Sequence, residues 1–128
     1  MNFDELNVAD NSIDMVTWIQ GPHELGFAPD GMSLGDAAGA FREIARVLKP
    51  GGVFVASDHL AAAGTGLEVG GTLHRIREGW VTEMATEVGL RVDSTSNILK
   101  NPADSLTEGV FAPSIRGNTS QFLVLYRK

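Results

Sequence analysis

Phe41-Arg42-Glu43-Ile44-Ala45-Arg46-Val47-Leu48-Lys49-Pro50-Gly51-Gly52-Val53-Phe54-Val55-Ala56-Ser57-Asp58-His59, residues 41–59, decides how the chain is read. Ala37, Ala40, Phe41, Ile44, Val47 and Leu48 recur at the three-and-four spacing of one helical face. Arg42, Glu43, Arg46 and Lys49 fall mostly on the other face. Pro50 cannot continue a helix, and Gly51-Gly52 frees the backbone to reverse. Val53-Phe54-Val55-Ala56 then runs apolar without polar alternation, the pattern of a strand covered on both faces. A helix followed closely by such a strand is half of a βαβ crossover. Ligands of open α/β sheets sit just past the carboxyl ends of strands, which makes Ser57, Asp58 and His59 the first candidates for chemistry.

Working upstream, Asp10-Asn11-Ser12 is a turn signal, and Ile13 to Ile19 reads as a buried strand interrupted only by Asp14 and Thr17. Gln20-Gly21-Pro22-His23-Glu24 follows its carboxyl end. Residues 26–36 read as a loop, with Ser33 or Asp36 able to cap the helix after it. Downstream, the Ala- and Gly-rich stretch from Ala61 to Thr72 reads as a mobile loop. Ile76, Trp80, Val81, Met84 and Val88 repeat at helical spacing, and Gly89 is placed as a C-terminal cap. Leu90 to Ser96 alternates weakly, as a less buried strand would. Residues 99–120 form a connection of a length that is uncommon in compact domains and often functional. Gln121 to Arg127 closes the chain as a last strand, giving the order β, α, β, α, β, β. Trp18 and Trp80 read as core or interface positions.

At 128 residues the expectation is one domain. A net charge of −6 with scattered basic residues argues against a nucleic-acid surface, which needs clustered Lys and Arg. The absence of cysteine removes disulfides, thiolate nucleophiles and Cys-ligated zinc, and fits a reducing cytoplasm. No stretch approaches the ~18 apolar residues of a membrane span. The start, Met1-Asn2-Phe3-Asp4-Glu5, lacks the basic and apolar regions of a signal peptide. The expectation is a soluble cytoplasmic protein without a membrane partner.

Leu6 to Val16 is similar to the segment entering the fourth strand of class I S-adenosylmethionine-dependent methyltransferases, and Phe41 to Asp58 resembles the helix and fifth strand of that family. His74-Arg75-Ile76, Asn101-Pro102-Ala103-Asp104 and Phe111 to Phe122 further resemble a subgroup of uncharacterised members. The resemblance implies an α/β three-layer fold with helices on the faces. It further implies a single domain over residues 1–128, equivalent to the family's C-terminal half with its strands four, five, seven and six. It also implies S-adenosylmethionine as cofactor and a small-molecule acceptor. The family's glycine-rich loop after the first strand and its acidic residue ending the second have no counterpart here. The one GxG, Gly64-Thr65-Gly66, follows the fifth-strand equivalent and opens no helix. The expectation is therefore a truncated, isolated chain without activity of its own.

By the same resemblance, Gln20, Gly21 and Glu24 approach the methionine part of the cofactor, and His23 is a candidate general base, since imidazole titrates near neutral pH. Position past a strand end makes Asp58 and His59 candidates for a carboxylate–imidazole pair with His23 or His74. The three histidines lack ligand spacing, so no metal is expected. Arg75 and Arg116 lie in the subgroup-like segments. Either could clamp an anionic substrate group through its planar fork, the alternative being a salt bridge that fixes the long connection, to Asp104 for example. Ile13 to Ile19, internal in the full family sheet, becomes an edge here. An apolar edge with unpaired N–H and C=O groups invites a homodimer or a partner chain, so a non-catalytic assembly module is the rival reading.

Overall fold

The computed structural model describes residues 2–27 and 35–128. Ser33, one of the two expected caps, and most of the expected 26–36 loop lie outside them. Four strands form one sheet: β1 (Ile13–Ile19), β2 (Leu48–His59), β3 (Arg91–Ser96) and β4 (Gln121–Arg127), in spatial order β1-β2-β4-β3. β1 and β2 are parallel neighbours, and β4 runs antiparallel to both β2 and β3. Spatially this is the four-five-seven-six order expected from the resemblance.

Helix α1 (Ala37–Val47) crosses from β1 to β2, opened by the Asp36 carboxylate accepting from Gly39 N at 2.8 Å. It stops at Val47, so Leu48, expected at the end of the helical face, is instead the first residue of β2. The Lys49–Gly52 stop is absorbed as a register shift against β1 between Ile13 and Met15, with Gly51 at φ +80°. Helix α3 (Glu78–Glu87) crosses between β2 and β3, and Gly89 at φ +94° reverses the chain as expected. Ile76, read as part of that helix, instead forms a parallel bridge to Leu60.

Strand alternation explains which residues make the core. Phe54 and Ala56 of β2 and Phe122, Val124 and Tyr126 of β4 point to one face. There they pack with Phe41 and Ile44 of α1 and Val81 and Ala85 of α3. Phe41 meets Phe54 edge-on and Trp80 at 6.1 Å, and the Thr82 hydroxyl lies 2.8 Å from that of Tyr126. Burial pushes the Tyr126 phenol up to about 12. Val53 and Val55, read as covered, are less shielded than their neighbours, because both α1 and α3 lie on the Phe54 side. Among the described residues, the apolar run of β2 is thus covered on one face and more open on the other.

Polar residues of α1 have partners that periodicity did not reveal. Arg46 bonds Leu6 O, Val8 O and the Asp10 carboxylate, while Glu43 accepts from Leu6 N, so the N-terminal segment is strapped to α1. The Arg46 bond and the Leu6 N–H hold the Glu43 carboxyl down at about 2.

The expected mobile loop from Ala61 to Thr72 contains a short helix, α2 (Val69–Thr72), docked on a 3-10 helix at Pro22–Gly26. A Cβ at Gly70 would overlap the His23 carbonyl oxygen, and one at Gly26 would overlap that of Leu67. Glycine here serves close backbone approach between two segments, which in sequence looks the same as flexibility.

Candidate functional site

Past the carboxyl ends of β1 and β2 the chain gathers its histidines around one buried carboxylate. Asp58, wholly buried, accepts from His23 N at 2.7 Å and His59 N at 2.7 Å, and lies 2.9 and 3.0 Å from His23 Nδ1 through its two oxygens. It sits on the core face of β2 because Phe54, Ala56 and Asp58 alternate inward. His23 reaches it from the 3-10 helix that follows β1, itself seated by α2. The carboxylate orients the ring: with Nδ1–H donated to Asp58, the other nitrogen, Nε2, is left as a proton acceptor. Of the two partners weighed for Asp58, the structure pairs it with His23. The His74 ring packs edge-on against His23 at 5.3 Å.

His59 falls on the opposite face of β2, half-buried, with Nδ1 2.7 Å from Thr119 Oγ1. Its ring centroid is 6.2 Å from that of His23. Burial lowers its pKa; the adjacent Asp58 pulls the other way and is outweighed. Burial therefore favours the neutral form of His59. Ser57 Oγ is buried without a hydrogen-bond partner among the described residues. No group of three or more His, Asp or Glu among those residues is arranged to hold a metal ion.

The residues expected toward a cofactor lie on the same rim. Gln20 is exposed at φ +52°, and its N–H bonds Ser57 O at 2.7 Å, tying the start of the loop to β2. Gly21 has a packing reason for its identity, since a Cβ there would overlap the Trp18 indole. Glu24 is half-buried in the 3-10 helix. Gly64 and Gly66 belong to a turn whose Thr65 carbonyl accepts from Arg77 Nε at 2.6 Å, and no helix starts there.

The two arginines separate. Arg75 is wholly buried: its guanidinium meets the Asp104 carboxylate at 2.8 and 3.0 Å and also bonds Glu108 O and Leu60 O. Asp104 further accepts from Leu106 N and Ser120 N. This is the tie across the long connection, not an open clamp. Arg116 is exposed, its Cζ 6.0 Å from the Phe111 ring centre. It borders a cleft of about 330 Å³ together with Gln20, His59, Phe111 and Thr119. Sequence reasoning missed Thr119 and Phe111 as site residues. Their place in the long connection and in the subgroup-like Phe111–Phe122 segment was the signal that marked them.

Residues 1–56 match the family model described as "Methyltransferase domain". Among curated proteins, none matches the sequence. Among solved structures, the chain is similar to one from the Haloferax volcanii complex between the Trm112 methyltransferase activator and an inferred methyltransferase. The TM-score there is 0.61 at 20% identity, over 99% of this chain and 59% of that one. It is similar to the [4+2]-cyclase SpnF, at TM-score 0.68 and 18% identity, over 100% of this chain and 54% of that one. It is also similar to an S-adenosylmethionine-dependent methyltransferase from Mesorhizobium loti, at TM-score 0.61 and 16% identity, over 100% and 67%. The chain spans little more than half the length of the first two of these. By its sheet order and these matches, the chain is class I S-adenosylmethionine-dependent methyltransferase-like in fold.

Proposed function

We propose that this chain is the acceptor-side half of an S-adenosylmethionine-dependent methyltransferase acting on a small molecule in the cytoplasm. The observation that carries the reading is the buried Asp58 carboxylate holding His23 at the carboxyl ends of two parallel strands. In this reading His23 Nε2 takes the acceptor's proton, Asp58 fixes the ring, and His59 stays neutral beside them. S-adenosylmethionine, when bound, supplies an already activated methyl group, so the protein's part is alignment and deprotonation. In this reading Gln20, Gly21 and Glu24 approach its methionine end.

The described residues fit that cofactor only in part. Ligands of doubly wound sheets lie where neighbouring parallel strands send their helices to opposite faces. β1–β2 is the single parallel pair among the described strands, so the crevice lacks its other wall. The chain by itself is therefore inactive. Titrating it with S-adenosylhomocysteine while following amide NMR shifts tests the proposal. Weak, millimolar shifts at residues 20–27 and 57–59 are expected. Their absence refutes the methyltransferase reading, whereas micromolar binding refutes only the inactivity of the isolated chain.

A second reading, an assembly module, is favoured by β1. It has no outer neighbour among the described strands, Met15 and Ile19 are 55% and 53% exposed, and an apolar recess lined by Phe3, Leu6, Val16, Trp18, Ala40 and Ile44 lies beside it. A second copy or a partner chain adding a strand there would cover these groups. The Haloferax complex pairs a methyltransferase-like chain with an activator. Light scattering at micromolar concentration checks the homodimer, and a monodisperse monomer excludes it.

A further inference from the structure

We infer that the cleft between the end of β2 and the long connection binds a small molecule carrying an oxyanion, carboxylate or phosphate, on a flat apolar body. The inference rests on the reading of this end of the sheet as the acceptor side, and names the class of acceptor. In a chain of net charge −6, Arg116 makes no ion pair among the described residues, so its fork is available to an incoming anion. The Phe111 ring beside it is 64% exposed, so an apolar aromatic face is open to a flat ligand next to the guanidinium. Buried Val110 also lines the cleft, and the Thr119 hydroxyl faces the His59 ring. A cleft of about 330 Å³ is at the small end of ligand sites and suits a single ring system. Arg75, the other candidate clamp, is consumed by Asp104, which leaves Arg116 as the cation among the described residues that line this cleft. The flat body would cover Phe111 while the oxyanion meets Arg116, in the cleft that His59 also lines.

The test uses the full chain without any methyl donor and three probes of one shape: 1-naphthoate, 1-naphthyl phosphate and neutral 1-naphthamide, followed by NMR shifts. At least one of the two anions is expected to bind at millimolar concentration or better, with shifts at 110–119 and at His59. The amide is expected to bind about tenfold more weakly, the worth of one charge-assisted hydrogen bond. Arg116→Ala should bring the anion down to the level of the amide, Arg116→Lys should restore part of the difference, and Phe111→Ala should weaken all three probes. Preference for the phosphate or the carboxylate identifies which oxyanion the site takes. Equal binding of anion and amide, an unchanged affinity in Arg116→Ala, or no binding at all overturns the inference. Because S-adenosylhomocysteine is absent, failure here leaves the methyltransferase reading to be decided separately, by the shifts at residues 20–27.

Discussion

Asp104→Ala is expected to lower the melting temperature by about 10–20 °C, although Asp104 lies far from the paired histidines in sequence. The Arg75 and Asp104 side chains are 0% and 1% exposed. Removing the carboxylate strips the guanidinium of both charged bonds, leaves it only the Leu60 and Glu108 carbonyls, and orphans the N–H groups of Leu106 and Ser120. Breaking a buried pair from one side costs about 3–5 kcal/mol, against about 0–1 for a surface pair. Folding stabilities run near 0.05–0.15 kcal/mol per residue, so the loss is a large share of roughly 6–19 kcal/mol. At about 3–5 °C per kcal/mol for a domain of this size, the shift follows. Burial raises the Asp104 carboxyl, but Arg75 and the two N–H donors outweigh it and the net shift is downward. Its stabilisation is therefore full above the unfolded value near 3.9 and is lost as pH falls through the lower folded value. Calorimetric melts check the magnitude, and hydrogen exchange should show the loss concentrated in residues 101–120. The double variant Arg75→Met/Asp104→Leu should recover much of it, since an apolar pair of similar volume removes the stranded charge. A drop under about 3 °C, the size of a surface pair, would refute the claim that this pair pins the long connection.

Gly70→Ala should destabilise by about 1–3 kcal/mol in urea melts, because its Cβ meets the His23 carbonyl; an open helical site would instead gain about 0.5–1 kcal/mol from the same change. Asp58→Asn should cost about 1–3 kcal/mol by the same measurement, since one amide oxygen replaces two carboxylate oxygens that serve His23 N, His23 Nδ1 and His59 N. His23 ring resonances should shift with it, and unchanged resonances would mean that Asp58 does not orient the ring. Stability should fall as pH drops below about 6.5, where the unfolded His59 binds a proton that the folded, buried one resists, and should stop falling below the depressed folded value. His59→Gln should flatten that part of a pH–stability curve.

The periodicity of α1, the Pro50-Gly51-Gly52 stop and the apolar runs at 13–19 and 121–127 are local signals, and each became an element within a few residues of where it was read. What periodicity could not carry was which side of a strand is covered. Val53 and Phe54 look alike in sequence, yet α1 and α3 both settle on the Phe54 face. Glycine was ambiguous for a related reason: Gly70 and Gly26 serve close packing, and composition cannot separate that from mobility. At the site, Asp58 and His23 were legible as separate strand-end residues because the strand-end rule is positional. That the buried partner is His23, with His74 set edge-on behind it, depends on how a 3-10 helix sits on α2, and nothing local encodes that. Thr119 and Phe111 reach the site through a connection held by Arg75–Asp104, so their placement depends on a contact across 29 residues of chain.

The fold alone does not choose the reaction, since the same sheet serves a methyltransferase in one solved relative and a [4+2]-cyclase in another. The side chains at the strand ends have to choose it, and here they adjoin the strand edge that has no outer neighbour among the described strands. Ile19, 53% exposed on β1, the outer strand among those described, is followed directly by Gln20, and His23 lies only four residues beyond Ile19. A strand added along β1 would therefore end beside the His23–Asp58 pair and could supply the wall that the crevice lacks. Under the proposed function, catalyst and assembly module would then cease to be competing descriptions: the apolar edge would recruit what the polar rim needs. On that logic, a charge placed at Ile19, such as Ile19→Lys, should abolish association and hold binding of S-adenosylhomocysteine at the weak, millimolar level expected of the lone chain, whereas Arg116→Ala should leave association intact.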